Sequence, residues 1–108
     1  MTLNGFDYII VNLIQEAVKM TGYNILEKVL NNNPSPEVFA IFSVDENYMG
    51  RRYVAINPNT PVYLLEKLAL DEDSFVRYYV ADNPNTPANM LEKLALDEDV
   101  RVRYHVAP

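Results

Sequence analysis

A five-residue turn, Asn-Pro-Asn-Thr-Pro, occurs twice in this chain of 108 residues, at positions 57–61 and 83–87. Aligning the chain on these turns gives a period of 26, with 19 identical positions between residues 57–82 and 83–108. One such unit buries about five large apolar groups at roughly 1.5–3 kcal/mol each, while ordering its backbone costs about 1–2 kcal/mol per residue. A single unit therefore cannot fold alone. The repeat predicts units that stack on their neighbours, as in solenoid proteins.

The turn is predicted to separate two helices. Asn57 precedes a proline, which disfavours the α conformation and ends the preceding helix. Thr60 stands at a position typical of an N-cap, and the fixed φ of Pro61 suits the first residue of a helix. The second turn repeats these roles, with Thr86 as the N-cap. Ser35 and Thr60 are accordingly interpreted as caps and not as nucleophiles.

Each unit is predicted to contain two helical segments, because its apolar residues recur at helical spacing. The second segment, which follows an Asp-Glu-Asp triplet, is expected to be the shorter. The apolar residues of the first segment are Leu64, Leu65, Leu68 and Ala69, matched by Met90, Leu91, Leu94 and Ala95, and those of the second are Val76, Tyr79 and Val80, matched by Val102, His105 and Val106.

Residues 32–56 are expected to form a third, diverged unit with one residue fewer, in which Ser35-Pro36 corresponds to Thr60-Pro61. Residues 1–31 are expected to form a helical cap, whose second helix echoes a first segment of the repeat. Gly22 can end the first helix of the cap. We therefore expect one domain with an N-terminal cap (1–31) and three units (32–56, 57–82 and 83–108). The predicted apolar face of the first cap helix consists of Phe6, Ile9, Ile10, Leu13, Ile14, Ala17 and Val18.

The combined pattern resembles the leucine-rich repeat variant family. It consists of Asn-Pro-Asn-Thr-Pro, Leu-Leu-Glu-Lys-Leu-Ala, Asp-Glu-Asp and Val-Arg-x-x-Val-Ala, and it covers about residues 32–108. The resemblance implies an all-α fold, a right-handed α-solenoid in which an α-helix alternates with a shorter, often 3₁₀, helix. It also implies a loosely defined interaction role. The founding type carries a cysteine-bound iron–sulfur cluster, and this chain has no cysteine, so that cofactor does not carry over.

Composition narrows the class of function. The net charge of −6 argues against a broad nucleic-acid or anionic-membrane surface. The absence of cysteine excludes thiolate metal sites and cysteine nucleophiles. Neither a signal peptide nor a membrane span is expected, which favours a cytoplasmic location. We expect a protein that is not an enzyme, has no cofactor or metal, and binds a protein partner.

All five arginines fall in the second helical segments, and Arg51, Arg77 and Arg103 are equivalent positions that stacking would align as a ladder. One interpretation is structural: Asp73 caps the second helix and pairs with Arg77 at i+4, and Asp99 does the same with Arg103. The alternative is a binding surface for a phosphate, an acidic peptide or single-stranded nucleic acid, in which tyrosines lie beside arginines. The candidate residues are Arg51, Arg52, Arg77, Arg101, Arg103, Tyr53, Tyr78, Tyr79 and Tyr104.

Other polar residues are interpreted structurally. The acidic triplets at 71–73 and 97–99 lack the spacing and central glycine of a calcium loop, and they precede helices, where carboxylates favour the dipole. His105, the only histidine, is expected to be a packing residue. Asn57 and Asn83, with Asn32 or Asn33, are expected to form a ladder that satisfies backbone groups at the turns.

The last unit ends without a covering helix in the sequence given, although several of its side chains are smaller or more polar than those of the preceding unit. Terminal repeats need a polar outer face. We expect this end to be either a weak homodimer contact or the cut face of a longer array.

Overall fold

The computed structural model of the chain describes residues 5–32 and 34–106, apart from the side chains of Phe6 and Asp7. These residues form eight α-helices and no strand, which confirms the all-α prediction. None of the helices in this part of the chain is long and apolar enough to cross a membrane. The helices are α1 (Gly5–Thr21), α2 (Asn24–Leu30), α3 (Pro36–Phe42), α4 (Tyr48–Ile56), α5 (Val62–Leu68), α6 (Ser74–Asp82), α7 (Ala88–Leu94) and α8 (Val100–Val106).

The helices pack in a regular order along a molecule that measures 41 × 26 × 20 Å. Helices α2, α4, α6 and α8 form one row, in which each helix packs against the next. The helices α3, α5 and α7 each pack against the helix that follows them in sequence. The buried apolar residues form one core that runs from Val11 in α1 to Val102 in α8.

The helix starts repeat with a spacing of 26 residues. Helices α3, α5 and α7 begin at residues 36, 62 and 88, and α4, α6 and α8 begin at residues 48, 74 and 100. Pro36 therefore corresponds to Val62, so the expected match of Ser35-Pro36 with Thr60-Pro61 is displaced by one residue. Asn31 takes the position of Asn57, and residues 31–56 need no deletion.

The second helices α4 and α6 differ from the expectation of a short or 3₁₀ helix. Both α4 and α6 are α-helices of nine residues, whereas α3, α5 and α7 have seven. Their length has a physical cause at each end. The side chain of Asp73 caps α6 by accepting a hydrogen bond from the backbone N–H of Val76 at 3.0 Å. The helix ends at Asp82, because the next residue, Asn83, precedes Pro84 and is extended, with ψ of 127°.

The threonine of the turn hydrogen-bonds to the helix that ends at the turn, whereas it was predicted to cap the helix that begins there. The hydroxyl of Thr60 donates to the carbonyl oxygen of Val54 in α4 at 2.5 Å, and Thr86 donates to Val80 in α6 at 2.6 Å. The N-cap residue of α5 is Pro61, and α5 begins one residue later than predicted. Threonine at this position thus adds a second hydrogen bond to a carbonyl at the end of the helix, which also accepts from the backbone N–H of the turn asparagine.

The predicted asparagine ladder is confirmed for Asn57 and Asn83, but its first member is Asn31 and not the predicted Asn32 or Asn33. The side chain of Asn83 donates to the carbonyl oxygens of Ala55 and Asn57, each at 2.8 Å, and accepts from the backbone N–H of Asn85. The side chain of Asn57 donates to the side-chain oxygen of Asn31 at 2.9 Å. Because Asn57 and Asn83 are buried, these bonds satisfy polar groups that water does not reach. Asn32 is exposed, and Asn33 lies outside the described residues.

The N-terminal helix buries part of the face that was predicted, since Ile14 is buried and Ile10 and Val18 pack against the core. Val11 and Ile14 are buried, whereas Ile9 and Leu13 are 59% and 62% exposed. The predicted contribution of Phe6 lies outside the described side chains. The helix ends at Thr21, and Gly22 follows with φ of 87°, which confirms the predicted stop.

Helix α2 does not take the position that its sequence suggested. It resembles a first helix of the repeat in sequence, yet it packs against α4, in the row of the second helices. The reason is topological, because the long helix α1 precedes α2 and packs against α3.

Candidate functional site

Two of the predicted site residues, Arg51 and Arg77, lie between successive units. The guanidinium group of Arg77 binds the carboxylate of Asp97 through two hydrogen bonds of 2.8 and 3.2 Å. Its third nitrogen donates to the carbonyl oxygen of Asp71 at 2.8 Å. Arg51 binds Asp71 with the same two distances. Each arginine is therefore held by the backbone before its own helix and by the carboxylate 20 residues ahead.

This geometry corrects the predicted i+4 pairs. Asp73 caps α6, but the side chain of Arg77 reaches Asp97 of the next unit instead. Likewise, Asp99 forms its ion pair with Arg101 at 2.8 Å and not with Arg103. The first aspartate of each acidic triplet therefore binds the arginine of the preceding unit, and the third caps its own second helix.

The pairs between units remove Arg51 and Arg77 from the available surface. The side chains of Arg77 and Asp97 are each 10% exposed, and those of Arg51 and Asp71 are 11% and 9% exposed. The hydrogen bond to Asp97 raises the pKa of Arg77 above its usual value. Both guanidinium groups are already paired with a carboxylate, so they cannot bind a ligand without breaking the contacts between units.

Three more of the candidates lie in a cluster on α4, α6 and α8, together with two residues that were not predicted. We call this cluster the aromatic–arginine surface and define it by Tyr48, Arg52, Phe75, Tyr79 and Arg101. The guanidinium carbon of Arg52 lies 5.1 to 5.5 Å from the ring centroids of Tyr48, Phe75 and Tyr79. Arg52 also donates to the hydroxyl of Tyr79 at 3.1 Å. These distances are those of cation–π contacts. The surface is therefore preorganised before any partner binds.

Arg101 continues this surface onto α8. Its guanidinium carbon lies 4.6 Å from the ring centroid of Phe75, and one of its nitrogens donates to the hydroxyl of Ser74 at 3.2 Å. Hydrogen bonds from Arg101 lower the pKa of the Asp99 carboxyl below its usual range. The charge of Arg101 is thus compensated by Asp99, and its planar group remains half exposed.

The other candidate residues lie elsewhere. Tyr78 is half-buried and packs its ring against His105, with 4.1 Å between centroids. His105 also contacts Asp82 at 2.9 Å, so its role is broader than the packing that was predicted. The hydroxyl of Tyr53 lies 3.5 Å from the side-chain oxygen of Asn24. Tyr104 is 79% exposed.

A pocket of about 160 Å³ adjoins the aromatic–arginine surface. Typical small-molecule sites enclose about 300–1,000 Å³. The pocket is smaller than such a site and has the size of one protein side chain. Its lining residues are Met49, Arg52, Tyr53, Ile56 and Tyr79.

The chain was compared with family models, curated proteins and solved structures. None of them matches it. The site is therefore interpreted from its own geometry.

Sequence reasoning missed Tyr48 and Phe75 as members of the surface. A signal was present, because Tyr48 precedes Arg52 by four residues and Phe75 precedes Tyr79 by four, and residues at i and i+4 share a helix face. The alignment of α4 beside α6 then brings the two faces together. Neither Tyr48 nor Phe75 is adjacent to an arginine in sequence, so a prediction based on neighbouring arginines and tyrosines left both out.

Proposed function

We propose that this chain is an α-solenoid of the leucine-rich repeat variant type that binds a protein through the aromatic–arginine surface. The 26-residue spacing of the helices and the packing of α4, α6 and α8 in one row support the solenoid, with residues 1–31 as its cap. A continuous row of helices presents an extended surface, which repeat proteins use for binding.

The observation that carries the proposal is the stacking of Arg52 on three aromatic rings. Tyrosine and arginine are enriched among residues that dominate binding energy at protein interfaces. Tyr48 and Phe75 are 44% and 40% exposed, so a partner can still bury part of each ring. Because intramolecular contacts fix Arg52 before binding, a partner would lose less side-chain entropy on association.

Binding of nucleic acid or a phosphate, the alternative, is less well supported. Arg51 and Arg77 are paired with carboxylates, and Arg101 is paired with Asp99. The net charge of −6 adds long-range repulsion of a polyanion. The pocket beside Arg52 has the volume of a partner's side chain, which also favours a protein.

The proposal is tested by photo-crosslinking in cell extract. A photoreactive phenylalanine analogue replaces Phe75 in one variant and Glu66, on the exposed face of α5, in another. We expect a discrete crosslinked protein from position 75 that is absent from position 66. Adding Arg52→Ala to the first variant should reduce this crosslink at least tenfold, whereas Lys28→Gln should not.

Binding of a labelled single-stranded oligonucleotide at low and moderate salt tests the alternative. Phosphate contacts weaken steeply as salt increases. Salt-dependent binding that Arg52→Ala abolishes, without a position-specific protein crosslink, would favour the alternative and contradict the proposal.

A further inference from the structure

The first aspartate of the first unit, Asp45, lacks the arginine that its equivalents bind. Asp71 and Asp97 each bind the guanidinium group of the arginine that precedes them by 20 residues. The residue 20 positions before Asp45 is Ile25. In the part of the chain that the structure describes, no cation pairs with Asp45. The repeat therefore places this carboxylate three times and supplies its cation twice.

The carboxylate of Asp45 is nevertheless held in place. One oxygen accepts from the backbone N–H of Asn47 at 2.9 Å, as Asp71 accepts from that of Asp73. The other oxygen accepts from the hydroxyl of Tyr23 at 3.2 Å. Burial raises the pKa of this hydroxyl, and Asp45 raises it further through its charge and the hydrogen bond, so Tyr23 remains a donor. Because a carboxylate has about four acceptor positions, Asp45 can still accept from a further group.

A glycine found only in the first unit gives this carboxylate its place. Gly50 corresponds to Val76 and Val102 of the following units. A Cβ at Gly50 would lie 2.6 Å from a carboxylate oxygen of Asp45 and 2.8 Å from its Cβ. Asp45 therefore lies closer to α4 than a larger residue at position 50 would allow.

A pocket of about 290 Å³ lies beside Asp45 and Tyr23. Its volume is close to the lower end of the range of small-molecule sites, about 300–1,000 Å³. The other charged residue of its wall, Lys19, pairs with Glu16 at 3.4 Å and not with Asp45. We call this cavity the Asp45 pocket, and its lining residues are Gln15, Val18, Lys19, Tyr23, Phe42 and Asp45.

We propose that the Asp45 pocket binds a small molecule that carries a guanidinium group. The bidentate contacts of Asp71 and Asp97 show that guanidinium is the cation bound at the equivalent carboxylates, and its planar donors match a carboxylate. The apolar side chains of Val18 and Phe42 accept the alkyl part of the molecule. The pocket is larger than the pocket of about 160 Å³ beside Arg52, which favours a whole molecule over a single protein side chain.

The test is a titration of the full, isotopically labelled chain with propylguanidinium, followed by nuclear magnetic resonance. We expect a saturable shift of the backbone amide of Asn47, which donates to Asp45. The amide of Asp73 should not shift, because the carboxylate that it contacts, Asp71, is already paired with Arg51. Butylammonium has the same charge without the planar donors, so it should bind at least about tenfold more weakly.

Two variants locate the binding. Asp45→Asn should weaken it at least tenfold, whereas Glu46→Gln, which removes an equal charge from the exposed neighbouring residue, should not. Since Asp45→Asn also alters contacts of the fold, the second variant leaves Asp45 unchanged. Gln15→Trp, at an exposed position of α1, places a large ring at the pocket and should also weaken binding at least tenfold.

Three results would overturn the proposal. The first is no saturable shift at propylguanidinium concentrations up to about 10 mM, since a ligand of this size with so few contacts should bind with a Kd on the order of 1 mM. The second is equal binding of propylguanidinium and butylammonium, which would indicate general attraction of cations to a chain with a net charge of −6. The third is binding that Asp45→Asn weakens no more than Glu46→Gln does.

Discussion

Replacing Arg77 with alanine should destabilise the protein strongly, although Arg77 contacts no ligand. The side chain donates two hydrogen bonds to Asp97 and two to the carbonyl oxygens of Asp71 and Glu72. Arg77→Ala leaves the carboxylate of Asp97, only 10% exposed, without a cation. Removing one partner of a buried pair typically costs about 3–5 kcal/mol, because it leaves an uncompensated buried charge. We expect a loss in this range.

The measurement is the free energy of unfolding from urea titration followed by circular dichroism. A loss of about 3–5 kcal/mol is readily measured, because domains of this size have total stabilities of roughly 5–15 kcal/mol. The matched control is Arg101→Ala, which removes an arginine whose ion pair with Asp99 is half exposed. That control should destabilise the protein much less than Arg77→Ala, because exposed ion pairs contribute little to stability.

The double variant Arg77→Ala, Asp97→Asn separates the pair from the rest of the side chain. Because the second change removes the uncompensated charge, the double variant should lose less than the sum of the two single variants. A loss for Arg77→Ala no larger than that for Arg101→Ala would refute the reasoning. It would mean that the bridge between units contributes no more than a surface ion pair.

Two further predictions concern buried positions of the stack, and both are measured by urea titration. Asn83→Ala should cost about 2 kcal/mol, because it removes a buried side chain that donates to the carbonyl oxygens of Ala55 and Asn57. Asn89→Ala on the exposed face of α7 should cost less than about 0.5 kcal/mol, and equal effects would contradict the ladder. Gly50→Ala should destabilise by about 1–3 kcal/mol despite a better helix propensity, since the added Cβ would lie 2.6 Å from a carboxylate oxygen and 2.8 Å from the Cβ of Asp45. Its control is Gly5→Ala, where the added Cβ meets nothing within 4 Å, and a Gly50→Ala protein as stable as that control would disprove the clash.

The helical character and the positions of the turns could be predicted from the sequence because local rules decide them. A residue before proline is driven out of the α conformation wherever it stands, so Ile56 and Asp82 end their helices as expected. The start of α5 was predicted one residue too early, at Pro61, because Thr60 and Pro61 have the chemistry of an N-cap and a first helical residue. The structure resolves this by turning the threonine hydroxyl back to the helix that ends.

The carboxylate that pairs with each arginine of the ladder could not be predicted from local spacing. The rule for neighbouring residues on a helix suggested Asp73 for Arg77, because they are four residues apart. The observed partner, Asp97, is 20 residues ahead and becomes a neighbour only when two units stack. Similarly, the buried face of α1 was predicted too wide, because periodicity alone could not show that the contacts with α2 and α3 cover Ile14 but leave Ile9 and Leu13 exposed.

The two most similar copies of the repeat distinguish residues that join the units from residues that differ on the surface. Several positions that join the units are identical in residues 57–82 and 83–108, namely the turn asparagine and threonine, the first aspartate of the triplet and the bridging arginine. Positions of the aromatic–arginine surface differ, since Phe75 corresponds to Arg101 and Tyr79 to His105. A repeat that keeps its junction and varies its exposed side chains can change what it binds without changing how it folds. The identical residues therefore explain the junction between units, and the differing residues on α6 and α8 are the ones to vary when the proposed binding surface is tested.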